Sequence, residues 1–145
     1  VPKSLLDATA YIDFQRARKH RDQVWAINTL RNVAKNIALE GRLGISPPTV
    51  MEIVQGLKPP DNLQQFRRDV LPTFEIIPFG EDEACLAGEI YAKLELQRLR
   101  IGIPDTQLAA VAITHGLTLI TSNFKHFQRV IALGYPLQLE NWREA

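Results

Sequence analysis

Cysteine is almost absent from this chain. With Cys85 as the single copy there is no internal disulfide framework, and a reducing, cytoplasmic setting is expected. Long apolar runs are missing too. Leu108–Ile113 is far too short to cross a bilayer, and Val1–Leu6 lacks the apolar core and cleavage site of a signal peptide, so no membrane partner is expected. There is no glycine-rich phosphate loop and no GxSxG elbow. The histidines, His20, His115 and His126, lack the spacing of a zinc site. Cys85 has no histidine nearby and falls on a helix, which reads as a buried structural thiol. His115 ends a helix, where a cation complements the dipole.

What is present is ordinary in amount. At 145 residues, 46% hydrophobic and 23% charged, the chain is the size of one globular domain spanning 1–145. Its formal net charge of +1 says little about partners, but the charges are unevenly placed. Arg16, Arg18, Lys19, His20 and Arg21 form one basic cluster, and Lys125, His126 and Arg129 a smaller one. Each is either a solvated helix face or a phosphate contact.

Periodicity divides the chain into alternating elements. Ser4–Asp7 reads as a strand followed by a helical turn over Tyr11–Phe14. Val24, Ile27, Leu30, Ala34 and Ile37 predict an amphipathic helix over Gln23–Leu39, closed by Gly41 and Gly44. Leu43–Ser46 is a second strand, and Pro47-Pro48 open a helix that Pro59-Pro60 break. A helix over Asn62–Val70 and a strand over Phe74–Ile77 follow. Glu81, Asp82 and Glu83 then begin a helix with Leu86, Ile90, Tyr91 and Leu94 on its apolar face. Pro104 opens another, stopped by Gly116, before the strand Leu117–Thr121, a segment over Phe124–Ile131 and an edge strand at Leu137–Leu139. This alternation predicts an α/β fold with a mostly parallel central sheet flanked by helices. In such sheets ligands sit beyond the carboxyl ends of the strands, near the point where strand order reverses.

The candidate chemistry is acidic. Asp7, Glu52 and Asp105 each stand at an element end within an otherwise apolar segment. Each has a structural explanation: Asp7 as a cap, Glu52 as partner of Thr49 in a capping box, Asp105 as a first-turn acid after Pro104. Together, in one small α/β domain, they favour a shared site for a hard cation, since Mg²⁺ and Mn²⁺ take oxygen ligands. Paired cations can stabilise both the attacking and the leaving oxygen of a phosphodiester.

The motifs resemble those of PIN domains of the VapC toxin kind. LLDATAYID at Leu5–Asp13 is similar to the opening motif, an Asp ending the first strand (Asp7) and a small polar residue two places on (Thr9). ISPPTVMEIVQGL at Ile45–Leu57 resembles the second motif, with Glu52 as its acid. IGIPDTQLAAVAITHGLTLITSN at Ile101–Asn123 is the strongest match, carrying Asp105 and a strand ending in Thr121-Ser122-Asn123. The resemblance covers nearly the whole chain in order. It implies a parallel sheet flanked by helices and a Mg²⁺- or Mn²⁺-dependent endoribonuclease, the toxin of a type II toxin–antitoxin pair. It implies an RNA substrate, a homodimer, and an antitoxin whose C-terminal segment blocks the site. Asp7, Glu52 and Asp105 would hold metal. Thr9, Ser122 and Asn123 would position phosphate or water, and Arg16, Arg18 and Lys19 would contact RNA.

In one place the chain departs from the pattern. Many relatives carry a fourth carboxylate after the last core strand; here Asn123 stands at the commonest position and His126 at a later one. Asn123 can still ligate through its carbonyl oxygen, but the lost charge weakens a second cation. Asp82, Glu83 and Glu89 are other acids that could take the role. The missing charge also sustains a second reading, a weak or inactive PIN-like module that binds RNA or a protein partner. A phosphatase of α/β type finds no phosphate loop to support it.

Overall fold

The computed structural model of the protein describes residues 2–58 and 61–145. Its strands β1 (Ser4–Leu6), β2 (Gly44–Ile45), β3 (Glu75–Ile76), β4 (Thr118–Ile120) and β5 (Gln138–Glu140) form one sheet in the order β3-β2-β1-β4-β5. Each adjacent pair is parallel, the arrangement that alternating strands and helices require. The helices are α1 (Ala8–Ala17), α2 (Val24–Glu40), α3 (Pro47–Gln55), α4 (Asp61–Gln65), α5 (Glu81–Leu96), α6 (Ile103–His115) and α7 (Phe124–Ala132). From β1 the chain continues to β2 on one side, while β4 pairs on the other, so strand order reverses between β1 and β4. A crevice beyond the carboxyl ends belongs there. Asp7 follows β1 directly at that end, its N–H donating to the Ile120 carbonyl at 3.1 Å.

The sheet separates two apolar layers because successive strand residues face opposite ways. Leu5 pairs in register with Leu119, and both pack with Ile90, Leu94, Leu108, Val111 and Phe127 of α5, α6 and α7. Leu6 pairs with Ile120, and both pack with Tyr11, Val33, Ile53, Phe66, Phe74 and Trp142 on the other side. Full burial of each such side chain contributes about 1.5–3 kcal/mol. These four residues therefore fix the strands that deliver Asp7 and Thr121.

Several local expectations change. The turn over Tyr11–Phe14 is part of a ten-residue helix, because the Asp7 side chain caps it by accepting the Ala10 N–H. Gly41 closes α2 at φ 87°, but Gly44 belongs to β2. A Cβ on Gly44 would lie 2.9 Å from the Ser4 carbonyl oxygen, so glycine permits the close β1–β2 approach. The helix expected over Asn62–Val70 is α4 followed by a π-helical turn (Phe66–Val70) and a 3-10 turn (Leu71–Thr73) that Pro72 enters. The break assigned to Pro59-Pro60 lies outside the described residues. On α2 the apolar positions Val24, Ile27 and Ile37 face water, while Ala26, Asn28, Thr29 and Val33 are buried. The cause is the carboxyl-terminal segment, whose Arg143 and Trp142 carbonyls accept hydrogen bonds from the Asn28 and Asn32 amides. Cys85 is exposed rather than buried, because α5 turns Ala87, Ile90 and Leu94 inward instead.

Candidate active site

Three elements bring the acids together. Asp7 leaves β1 and is only 3% exposed. One of its oxygens, Oδ1, accepts both the Thr9 hydroxyl at 2.6 Å and the Ala10 N–H at 2.9 Å. Capping thus uses one carboxylate oxygen and leaves Oδ2 for other partners. Asp105 stands in the first turn of α6, behind Pro104. Glu52 lies in α3, whose N-cap is Ser46, so the capping box proposed for Thr49 and Glu52 does not form. Thr49 is instead inside the helix and buried, and its hydroxyl and that of Ser46 have no hydrogen-bond partner.

Electrostatics register the convergence. Burial pushes the Asp7 carboxyl above its ordinary pKa; hydrogen bonds from Thr121, Thr9 and Ala10 oppose this, and the charge of Asp105 adds to it. Burial likewise raises Glu52, reinforced by the charges of Asp105 and then Asp7. Asp7 and Glu52 therefore both feel the charge of Asp105, and both resist ionisation until a cation neutralises them.

A hydroxyl relay ties the β4 end to the β1 end. Thr9 Oγ1 accepts the Ser122 N–H at 3.1 Å and lies 3.4 Å from Thr121 Oγ1. Thr121 Oγ1 accepts the Asn123 N–H at 2.9 Å. Thr9, Ser122 and Asn123 are thereby held at one corner. Buried Thr121 was not singled out from the sequence; its signal was its place at a strand's carboxyl end. His126 completes the corner. Its Nδ1 lies 3.1 Å from Asp105 Oδ2 and 2.9 Å from Asn123 Nδ2.

Other candidates fall elsewhere. Arg16 and Arg18 end α1, about 15 Å along the helix from Asp7, with Lys19 just beyond. Arg18 stacks on Phe14 at 4.7 Å from the ring centroid. Glu83 accepts the Gly80 N–H and pairs with His115 at 3.0 Å, and Glu89 accepts the Tyr135 hydroxyl. Neither is a spare ligand for the crevice. His115 thus does more than complement a dipole, since it joins the end of α6 to the start of α5.

The donor set fits a hard divalent cation: one buried and two half-buried carboxylates, with the charge of Asp105 bearing on both Asp7 and Glu52. Among the described residues no three of His, Cys, Asp and Glu stand at ligand spacing.

The family model of the PIN domain matches residues 4–133, and the chain belongs to the PIN-domain family. Its relatives within that family are VapC ribonucleases. It is 36% identical over 99 residues to Ribonuclease VapC1 of Rickettsia felis, covering 64% of this chain and 74% of that protein. It is 32% identical over 127 residues to Ribonuclease VapC2 of the same organism, covering 86% and 87%. Among solved structures, VapBC2 from Rickettsia felis bound to a DNA fragment from their promoter aligns with a TM-score of 0.68 at 30% identity over 96% of this chain and 98% of that one. The DNA-bound VapBC of Salmonella typhimurium shares the fold, with a TM-score of 0.73 at 22% identity over 98% and 99% of the two chains. VapC nucleases of this family are metal-dependent. Among the described residues no helix is long and apolar enough to cross a membrane.

Proposed function

We propose that this protein, a single PIN domain over residues 1–145, is the toxin of a toxin–antitoxin pair, an endoribonuclease that hydrolyses RNA phosphodiester bonds with Mg²⁺ or Mn²⁺. The observation that carries this reading is the electrostatic coupling of Asp7, Glu52 and Asp105 at the reversal of strand order. Asp7, Glu52 and Asp105 would hold the cation. Bound there, a divalent ion supplies charge neutralisation at the scissile phosphate and lowers the pKa of water for attack. Thr9 orients Asp7 through its 2.6 Å hydrogen bond, and Ser122 and Asn123 present polar groups to phosphate or water. Arg16, Arg18 and Lys19 would meet RNA only where the strand runs the length of α1.

Two surfaces support the partners. Ile12 of α1 and Val24, Ile27, Ile37 and Leu39 of α2 are exposed apolar side chains at several positions on these two helices, and we assign antitoxin contacts to α1 and α2. A depression of about 400 Å³ lined by Phe79, Ala87, Gly88, Tyr91 and Ile103 is the surface we assign to a homodimer. With one cysteine, the cytoplasm is the proposed setting.

The second reading, a module that binds without cutting, is favoured by Asn123 in place of an acid and by His126 against Asp105. Incubating RNA with the protein and Mg²⁺ or Mn²⁺, with and without EDTA, decides between the two. Asp105→Asn removes a ligand charge and keeps the shape, so cleavage should fall at least 100-fold with an unchanged circular dichroism spectrum. Cleavage by this variant at the wild-type rate would remove Asp105 from the site.

A further inference from the structure

His126 Nδ1 can carry one hydrogen or one lone pair, yet two polar atoms converge on it: Asp105 Oδ2 at 3.1 Å and the Asn123 side-chain amide at 2.9 Å. If Nδ1 carries the hydrogen, it serves Asp105 but meets the Asn123 N–H groups head-on. If it carries the lone pair, it accepts from Asn123 but opposes the lone pairs of the Asp105 carboxylate. A half rotation of the Asn123 amide, which lets the Nδ1–H meet two oxygens, relieves the conflict, and so does a cation bound by all three groups. Ligand atoms about 2.1 Å from an octahedral ion and at right angles to one another stand about 3.0 Å apart. The two separations at this corner, 2.9 and 3.1 Å, have that value. Turning the Asn123 amide by half a rotation presents its oxygen instead of its nitrogen, giving one imidazole nitrogen, one carboxylate oxygen and one amide oxygen. The three residues are part-buried, and two of them are held by neighbouring elements: Asn123 by its N–H bond to Thr121, Asp105 by the first turn of α6.

We infer that His126 is a metal ligand of this site through Nδ1, beside Asp105 and Asn123, and that it shifts the site toward a transition-metal cation over Mg²⁺. The inference rests on the nuclease reading above and adds to it the residue that sets metal preference. An imidazole nitrogen favours first-row transition ions, whereas an all-oxygen shell suits Mg²⁺. The chain thus replaces a fourth negative charge with a ligand that discriminates between cations. Spacing along the sequence could not reveal it, because Asp105 and His126 meet only through the packing of α7 on α6.

Two variants separate a ligand from a hydrogen-bond partner. His126→Asn keeps an N–H donor near the Nδ1 position, so it preserves the contact with Asp105 and removes the imidazole. His126→Ala removes both. Mn²⁺ and Mg²⁺ affinities are measured by calorimetry on the full chain, and nitrogen modulation is recorded in the electron spin echo of bound Mn²⁺. The wild type should show the nitrogen modulation and both variants should lose it. The ratio of Mn²⁺ to Mg²⁺ affinity should fall about tenfold or more in each, with Mg²⁺ affinity nearly constant in His126→Asn. If the wild type binds Mn²⁺ without nitrogen modulation, or if His126→Asn keeps the wild-type affinity ratio, His126 is only a hydrogen-bond partner of Asp105 and the inference is overturned. If neither cation binds the wild type, the nuclease reading itself fails, a result distinct from both.

Discussion

Replacing Asp7 with Asn tests whether one side chain serves two roles that pull stability in opposite directions. Asp7 is 3% exposed, and its Oδ1 accepts two hydrogen bonds, from the Thr9 hydroxyl and the Ala10 N–H. Asn keeps an oxygen in the same place and caps a helix as well as Asp does. Going from a charged to a neutral acceptor gives up about 1 kcal/mol in each of the two bonds. Against that, burial of an ionised carboxylate costs several kcal/mol, and the charge of Asp105 adds to the cost. Burial outweighs the hydrogen bonds, so without metal Asp7→Asn should be more stable than the wild type by about 1–2 kcal/mol, the surplus of these terms. For a domain of this size that is a rise of about 2–8 °C in melting temperature. With divalent cation at a hundred times its Kd the wild type gains about 2.7 kcal/mol. The variant, short of a ligand charge, gains little, and the order of stability reverses. Thermal melts of both proteins in EDTA and in Mn²⁺ read this directly. A variant that melts lower in EDTA would show that the hydrogen bonds dominate burial. Equal stabilisation of both proteins by Mn²⁺ would place Asp7 outside the metal shell.

Replacing Arg16, Arg18 and Lys19 together with Ala should flatten the salt dependence of RNA binding, because phosphate contacts release counterions; an unchanged slope would make the cluster a solvated helix end. At Glu83, burial raises the carboxyl pKa, but the N–H groups of Gly80 and of Glu83 itself, together with His115, outweigh it, and the folded value lies below the ordinary 4.5. Its contribution to stability is therefore present above 4.5 and is lost as pH falls through the lower folded value. Denaturant titrations should then find Glu83→Gln less stable than the wild type at neutral pH, with the gap closing at acid pH. Thr49→Val removes a buried hydroxyl that has no partner and should stabilise the fold by about 1 kcal/mol, read as a higher denaturation midpoint; a loss of that size would mean the hydroxyl is satisfied by water.

Much of the architecture could be read from residue order. Leu5 and Leu6 announce a strand buried on both faces, Gly116 announces a helix end, and LTLIT announces β4. Those signals are local, fixed by sterics and by the two-residue and 3.6-residue periods. What failed was set by tertiary packing. The apolar stripe of α2 predicts a buried face, but Asn28 and Asn32 turn inward because the carboxyl-terminal carbonyls need donors. Gly44 has the look of a helix stop, yet it is a strand glycine whose missing Cβ lets Ser4 approach, a demand placed by a residue forty positions earlier. Cys85 sits on the solvent side because Ala87 and Ile90 take the inward positions of α5.

The candidate site follows the same division. Asp7 and Asp105 could be named because acids at element ends in apolar segments are unusual, and because a parallel sheet gathers such ends on one side; Glu52 lies inside α3 rather than at its end, and only the resemblance to the family motif pointed to it. The competing reading of Asp7 as a cap was equally sound, and the geometry shows why the two do not exclude each other. A cap needs one oxygen, Oδ1, aimed back along the first turn of α1, while a ligand needs one aimed into the crevice. A carboxylate at the junction of a strand and a helix has both directions available, and an amide has an oxygen in only one. For that reason Asn should replace Asp7 in the fold but not in the proposed site. By the same logic Asn123, already an amide, must turn its single oxygen toward either the crevice or solvent, and His126 stands where that choice is made.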